Sequence, residues 1–153
     1  MAERSVTHSM FVIERTYPAA PERVFAAFSD PAKKRKWFAE GEESEIEHYA
    51  LDFREGGREE VRFRAKNGWN FTNHTIFQHI LANRHIVFAY TMSMGDKRFS
   101  SSQATVEFVP KGKETNLVFT EQGAYFEGAD GPKMRQDGWR LLLEALGKQL
   151  EKL

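Results

Sequence analysis

The C-terminal stretch from Gly131 to Leu153, GPKMRQDGWRLLLEALGKQLEKL, carries a long amphipathic helical pattern. At 100° per residue its bulky apolar side chains fall on one stripe and its charged side chains on the opposite side. Asp130 is placed to cap the start, and Pro132 is tolerated in a first turn. Such a stripe needs a sheet to pack against. The stripe comprises Trp139, Leu142, Leu143, Leu146, Leu150 and Leu153, and the opposite side comprises Arg140, Glu144, Lys148 and Glu151.

Most of the preceding sequence alternates with the period of two that is typical of β-strands. Val61, Phe63 and Ala65 alternate with charged residues, and Tyr49, Leu51 and Phe53 alternate with polar residues in the segment before them. Turn-forming pairs separate successive strands, so the pattern predicts an antiparallel meander. The later strands are predicted at Trp69–Leu81, Arg84–Met92, Phe99–Val109 and Thr115–Gly123.

The N-terminal part predicts one further strand and two short helices. His8–Tyr17 is rich in β-branched and aromatic residues, which favour a strand. A short helix follows from Pro21, and a second from Pro31 to Phe38 after an Asp30 cap. We expect residues 1–7 to form a flexible leader and residues 1–153 to form a single domain. The fold class is therefore α+β: a curved antiparallel sheet of about six or seven strands around a long C-terminal helix.

Composition excludes several classes of function. Lysine plus arginine and aspartate plus glutamate number 22 each, which argues against a dedicated nucleic-acid-binding protein. The sequence has no cysteine, so it offers neither disulfides nor thiolate chemistry. No segment has the pattern of a signal peptide or a membrane span, and we expect a cytoplasmic protein without membrane insertion. Thirteen phenylalanines and three tryptophans indicate a wide aromatic interior.

Several stretches resemble the START-like (SRPBCC) superfamily. FVIERTYPAAPERVFAAFSDPAKKRKWF, residues 11–38, is similar to its opening strand, short helix and Asp-Pro restart. FREGGR, residues 53–58, resembles its double-glycine turn. Gly138-Trp139 followed by Leu142, Leu143 and Leu146 is similar to the final helix of the AHSA-like branch, which is named after the C-terminal domain of the co-chaperone that activates the ATPase of the Hsp-90 chaperone.

The resemblance implies a helix-grip fold, in which the long C-terminal helix closes a cavity against the sheet. Relatives in the superfamily bind lipids, hormones or polyketides, or carry out hydroxylase or cyclase chemistry. The eukaryotic co-chaperone also has an N-terminal domain that makes much of its chaperone contact. We expect this chain to have no room for that domain, which argues against chaperone activation.

No catalytic constellation is evident in the sequence. His74 and His79 lie five residues apart on one predicted strand and should point to opposite faces, whereas His79 and His85 flank a turn and can approach each other. We expect no metal site and no cofactor, because no carboxylate completes a ligand set and no glycine-rich loop opens a helix. The basic run Lys33–Lys36 is predicted to be a solvated face, with an anionic partner as the alternative.

Tyr90 and Glu121 share predicted strand faces with bulky apolar residues. If Glu121 is internal, its pKa should rise, and it can act as an acid, a base or a ligand anchor. The alternative is that Glu121 reaches solvent near the end of its strand and pairs with a lysine. For Tyr90 the alternative is a core tyrosine whose hydroxyl reaches the surface.

Three functions remain open: binding of a small apolar or aromatic molecule, cyclase- or hydrolase-type catalysis, and protein interaction with a chaperone partner. Binding is favoured, because it needs no catalytic group and an apolar cavity with a few polar groups suits it. Both a monomer and a homodimer are compatible with the sequence. The residues predicted to line the cavity are Trp37, Phe53, Phe63, Trp69, Phe71, Phe77, Phe88, Tyr90, Phe119, Glu121, Gly138, Trp139 and Leu142.

Overall fold

A curved antiparallel sheet of seven strands forms the body of the molecule. The computed structural model describes residues 5–41, 44–126 and 131–151. The strands follow the order β1-β7-β6-β5-β4-β3-β2 across the sheet. They are β1 (Val6–Tyr17), β2 (Ser44–Leu51), β3 (Arg58–Ala65), β4 (Asn70–Leu81), β5 (His85–Met94), β6 (Lys97–Lys111) and β7 (Glu114–Phe126). Together with the two short helices and the long C-terminal helix, this sheet confirms the predicted α+β class and helix-grip architecture.

The chain crosses from one edge of the sheet to the other through short helical segments. These are α1 (Pro21–Ser29), α2 (Pro31–Lys34) and a π-helical turn (Arg35–Ala39). Asp30 caps α2 as predicted, because its Oδ1 accepts hydrogen bonds from the backbone N–H groups of Ala32 at 2.9 Å and Lys33 at 3.4 Å. The predicted helix from Pro31 to Phe38 is therefore present but divided into α2 and the π-helical turn.

The long helix α3 (Pro132–Glu151) lies against the concave face of the sheet. Trp139, Leu143, Leu146 and Leu150 are buried, and Leu142 is half-buried, so the predicted stripe is confirmed where the structure describes it. Each fully buried leucine contributes roughly 1.5–3 kcal/mol to stability. The predicted cap Asp130 and the last stripe residue, Leu153, lie outside the described residues.

Most predicted strand ends move by one to three residues, as for β5, β6 and β7, and the ends of the first and second strands show why. The first strand begins at Val6, where it pairs with Phe126, two residues before the predicted start at His8. The strand predicted through Phe53 ends at Leu51, because the Asp52–Gly57 segment turns back on itself with a hydrogen bond from Gly57 N to Arg54 O at 2.8 Å. Residues 1–4 of the predicted leader lie outside the described residues.

A β-bulge in β4 reverses one prediction. The register with β5 shifts between Phe77 and His79, so Gln78 is an extra residue. The insertion changes the parity of the strand, and His74 and His79 both face the outer side instead of opposite faces. The predicted approach of His79 to His85 is confirmed, with ring centroids 4.9 Å apart.

Aromatic side chains fill one end of the concave face. Phe108 on β6 makes edge contacts with Phe25 and Phe28 of α1, at centroid distances of 5.5 and 5.4 Å. Phe53 and Phe77 extend the same group at 5.0 Å. This end therefore has the close packing of a protein interior, and any space for a ligand lies toward the other end of the sheet.

Candidate functional site

A cavity of about 460 Å³ lies between the sheet, the π-helical turn and α3. Its wall is mostly apolar. The sheet contributes Val61, Phe63, Asn73, Tyr90 and Met92, the connection before β2 and the start of that strand contribute Trp37, Phe38, Ala39, Glu40, Gly41 and Ser44, and α3 contributes Met134, Arg135, Gly138, Trp139, Leu141, Leu142 and Ala145.

Helical spacing explains how α3 forms its part of this wall. Met134, Gly138, Leu141 and Ala145 follow one another at intervals of three or four residues and form a second, less bulky stripe beside Trp139. A Cβ atom added at Gly138 would meet no atom within 4 Å, so the helix backbone faces open space there. Met134 and Leu141 are 65% and 69% exposed and lie at the cavity mouth.

A buried polar cluster forms the wall next to Trp139. The Tyr90 hydroxyl donates to Glu121 Oε1 at 2.7 Å and accepts from Trp139 Nε1 at 3.0 Å and from Arg135 Nη1 at 3.1 Å. Arg135 Nη2 also donates to Ser100 Oγ at 2.7 Å. Because Arg135 and Glu121 carry opposite charges, with Nη1 and Oε2 3.9 Å apart, the cluster is formally neutral.

Small residues on β6 and β7 make room for the Arg135 guanidinium. Ser102 lies beside Tyr90 on one neighbouring strand and beside Gly123 on the other. A Cβ atom at Gly123 would come within 2.9 Å of the Tyr125 ring and 3.0 Å of Ser102 Oγ, so a larger residue here would displace the Tyr125 ring. The Tyr125 ring centroid lies 5.3 Å from Arg135 Cζ, which adds a cation–π contact.

A second buried ion pair lies behind Phe38. Lys34 Nζ donates to Glu59 Oε1 at 2.7 Å, and the Tyr49 hydroxyl donates to Glu59 Oε2 at 2.8 Å. The lysine and the glutamate are 3% and 1% exposed. Lys34 Nζ also lies 4.4 Å from the Phe38 ring centroid. The predicted solvated face at Lys33–Lys36 is therefore wrong at Lys34, because the side chain turns inward to this carboxylate.

Burial raises the pKa values of three tyrosines above the usual range. For Tyr90 and Tyr49, the nearby carboxylates of Glu121 and Glu59 raise the pKa further. For Tyr17, burial outweighs the opposing effect of Arg15. Tyr90 is therefore protonated at neutral pH, and its hydroxyl group is already engaged with three side chains. With its hydroxyl group engaged in this way, Tyr90 is better suited to a structural role in the cavity wall than to general acid or base catalysis.

The comparison with known families identifies the chain. A family model described as "Activator of Hsp90 ATPase homolog 1-like protein" matches residues 18–151, which include the short helical segments, the sheet from β2 to β7 and all of α3. The chain belongs to this family. The AHSA-like resemblance seen in the sequence is confirmed, and the wider superfamily often binds hydrophobic ligands.

Solved structures of similar proteins share the AHSA1-like fold along almost the whole chain. The Mll3558 protein from Rhizobium loti is 45% identical, with a TM-score of 0.88 over 95% of this chain and 99% of its own. A protein from Rhizobium leguminosarum is 36% identical, with a TM-score of 0.94 over 99% and 100%. An AHSA1 protein from Silicibacter pomeroyi, at 22% identity and a TM-score of 0.75 over 94% and 98%, shares the fold. No curated protein matches the chain.

The structure brings about half of the predicted site residues to the cavity. Trp37, Phe63, Tyr90, Gly138, Trp139 and Leu142 line it. Their part in ligand binding stays a prediction. The remaining candidates lie elsewhere in the AHSA1-like fold: Phe53, Phe77, Phe88 and Phe119 pack in the core, Phe71 stacks on Phe63, Trp69 is 55% exposed at the β3–β4 turn, and Glu121 lies behind Tyr90.

The alternative in which Glu121 reaches solvent is wrong, and so is the alternative in which the Tyr90 hydroxyl reaches the surface. Glu121 is completely buried, and the charged side chain beside it is Arg135 instead of a lysine. The Tyr90 hydroxyl does not reach the surface, because it lies between Glu121, Arg135 and Trp139.

Sequence reasoning missed Arg135 and Asn73, although both had a signal. Arg135 lies one helical turn before Trp139, so extending the stripe toward the N-terminus reaches it. Asn73 has the same strand parity as Phe71 and Phe77, which are predicted to line the cavity. In both cases a polar residue in an apolar pattern was the informative feature.

Neither a metal centre nor a membrane span is found in the part of the chain that the structure describes. No three side chains of histidine, cysteine, aspartate or glutamate among those residues are grouped to hold a metal ion. None of the described helices combines the length and the apolar composition needed to cross a membrane.

Proposed function

We propose that this protein binds a small apolar or aromatic molecule between the concave face of the sheet and α3. The observation that carries the proposal is the open space beside Gly138, where a Cβ atom would have no neighbour within 4 Å. The cavity volume of about 460 Å³ falls in the range of small-molecule sites, and the aromatic and aliphatic wall suits an apolar body.

The polar cluster supports binding over catalysis. A general acid or base must reach the substrate with a proton to give or a lone pair to accept one. The Tyr90 hydroxyl already donates to Glu121 and accepts from Trp139 and Arg135. A substrate would have to displace one of these partners, whereas a ligand held by its apolar surface leaves them in place.

A thermal-shift screen against fatty acids, sterols, flavonoids and small polyketides tests the proposal. A ligand that binds only the folded state stabilises it by about 2.7 kcal/mol at a hundredfold excess over its dissociation constant. For a protein of this size the melting temperature then rises by several degrees. We expect Gly138→Leu to abolish the shift, because the new side chain occupies the open space.

Glu144→Leu is the matched control, since it adds the same side chain to α3 at an exposed position on the opposite side. We expect its ligand-induced shift to equal that of the wild-type protein. Absence of a shift with every ligand class, in a protein that unfolds cooperatively, would contradict the proposal. An undiminished shift in Gly138→Leu would contradict the assignment to this cavity.

A protein-interaction role is the second candidate, and the exposure of Met134 and Leu141 favours it. Exposed apolar side chains next to each other often mark a contact surface. Under this alternative, the purified protein would stimulate the ATPase of an Hsp-90 chaperone, and Leu141→Glu would remove the stimulation while leaving the melting temperature unchanged. A lack of stimulation by the wild-type protein would exclude the alternative.

A further inference from the structure

Asn73 places a hydrogen-bond donor in the apolar part of the cavity wall. The residue lies on β4, is 8% exposed and lines the cavity. Its Oδ1 accepts a hydrogen bond from Thr75 Oγ1 at 2.9 Å. Within residues 5–41, 44–126 and 131–151, no group accepts a hydrogen bond from Asn73 Nδ2. The carboxamide is therefore engaged at its oxygen and available at its nitrogen.

The surroundings of Asn73 make this donor unusual. Its neighbours across the sheet are Val61 on β3 and Met92 on β5, which are both apolar and both line the cavity. Most buried polar groups in folded proteins have a hydrogen-bond partner, because leaving one without a partner costs about 1–3 kcal/mol. Asn73 Nδ2 is not fully enclosed but opens onto the cavity, so a ligand that covers it must accept its hydrogen bond to avoid that cost.

The charges near the cavity indicate that this partner is neutral. The two buried cations, Lys34 and Arg135, are each placed beside a buried carboxylate, Glu59 and Glu121 respectively. Neither pair leaves a net charge to balance an ion in the cavity. Moving an ionised carboxylate from water into such a site is costly without a compensating charge.

We propose that the ligand is an aromatic molecule with a neutral carbonyl group, a ketone, quinone or amide, whose oxygen accepts a hydrogen bond from Asn73 Nδ2. The inference rests on the proposed function, since it requires a ligand in this cavity. It adds a chemical class and a contact atom: the apolar wall binds the ring system, and Asn73 distinguishes a carbonyl from a methylene group at one position.

Fluorenone and fluorene test this inference, because the two tricyclic molecules differ by one carbonyl in place of a methylene group. Their affinities are measured by quenching of tryptophan fluorescence and by calorimetry. We expect the wild-type protein to bind fluorenone about tenfold more tightly than fluorene, the difference that one hydrogen bond to a buried donor supplies.

Substitutions at position 73 assign the preference to the carboxamide. Asn73→Leu keeps a similar volume and removes the donor, so we expect it to bind both compounds with the wild-type affinity for fluorene. Asn73→Asp keeps the acceptor for Thr75 and replaces the donor by an anionic oxygen, so we expect it to bind fluorene in preference to fluorenone. Asn70→Leu, at an exposed position on the same strand, is the control and should retain the wild-type preference.

The outcomes separate this inference from the proposed function. Equal wild-type affinity for the two compounds would overturn the carbonyl assignment and leave apolar binding standing. A preference for fluorenone that survives in both Asn73→Leu and Asn73→Asp would overturn the role of Asn73. Binding of neither compound to the wild-type protein would overturn this inference, whereas the proposed function falls only if the thermal-shift screen also finds no ligand.

Discussion

Two glycines on α3 differ in what surrounds them. Gly138 faces the open cavity, whereas a Cβ atom at Gly147 would lie 3.2 Å from Cε1 of Tyr17. The Tyr17 hydroxyl donates to the backbone oxygen of Leu143 at 2.7 Å, so the tyrosine is held against the helix and has little freedom to move. Glycine at position 147 therefore permits a close approach of helix and strand, and glycine at position 138 leaves space.

We expect Gly138→Ala to raise the free energy of unfolding by about 0.5–1 kcal/mol, because alanine loses less backbone entropy than glycine in a helix. Gly147→Ala gains the same entropy term but crowds Tyr17, so its net stabilisation should be smaller or negative. Urea denaturation of both variants measures the difference. Equal stabilisation at the two positions would show that Tyr17 does not crowd position 147, and a Gly138→Ala variant without stabilisation would show that the space beside Gly138 is not open.

At the level of single residues, sequence predicted apolar burial better than polar burial. The stripe from Trp139 to Leu150 was predictable because helical spacing alone determines which residues share a face. Glu59 has the strand parity of Val61 and Phe63, so its inward direction was available from the sequence. Lys34 had no comparable signal, because its burial depends on aromatic rings from several elements that meet only in the folded protein.

At the level of elements, the Lys34–Glu59 pair joins α2 to β3 beneath the aromatic core. Removing one partner leaves the other as an unpaired buried charge. We expect Glu59→Leu to lower the free energy of unfolding by about 3–5 kcal/mol. The double variant Lys34→Met, Glu59→Leu replaces the pair with apolar side chains of similar volume and should recover much of this loss.

Urea denaturation of the single and double variants measures this coupling. Tyr49 loses its hydrogen-bond acceptor in both, so that contribution cancels in the comparison. Arg35→Leu provides the exposed control, since Arg35 is paired with Glu40 at the surface, and its effect should stay within about 0.5 kcal/mol. A double variant as unstable as Glu59→Leu alone would contradict the argument.

Strands and turns were predictable because alternation and turn residues are local signals. Asn83, for example, adopts the left-handed conformation with φ of 65° at the predicted turn between β4 and β5. The bulge at Gln78 was not predictable, because an inserted residue is defined only by the register with the neighbouring strand. The error about His74 and His79 followed directly from that missing register.

For the whole molecule, the buried tyrosines make the free energy of unfolding decrease at alkaline pH. Tyr17 and Tyr90 are buried, and burial raises their pKa values above the value of about 10 expected in the unfolded chain. Above pH 10 the unfolded state loses these protons while the folded state keeps them. The stabilisation is thus fully present below pH 10 and declines above it, by about 1.4 kcal/mol per pH unit for each tyrosine.

Tyr90→Phe tests this linkage. The variant should be less stable than the wild-type protein at pH 8, because it lacks the hydroxyl group that bonds Glu121, Arg135 and Trp139. Its free energy of unfolding should nevertheless fall less steeply between pH 10 and 11, by about 1.4 kcal/mol per pH unit. Urea denaturation across this pH range gives both slopes, and parallel slopes would contradict the assigned pKa direction.

The cavity itself was not predictable from sequence, although the fold around it was. Thirteen phenylalanines are compatible with either a filled or an open interior. The outcome depends on where α3 lies relative to the sheet: Trp139 packs on Phe119 with ring centroids 4.2 Å apart, and the preceding residue, Gly138, is left uncovered. Such offsets come from packing among several elements, which no local pattern contains.

The order of the strands also bears on how the chain folds during synthesis. The first strand pairs with the last, from Tyr17 with Thr115 to Val6 with Phe126. At roughly 5–20 residues per second, a ribosome makes β1 many seconds before its partner strand emerges. During that time the apolar residues of β1 lack the strand with which they pair in the folded protein. Contacts so distant in sequence also slow folding, so closure of the sheet depends on the arrival of β7.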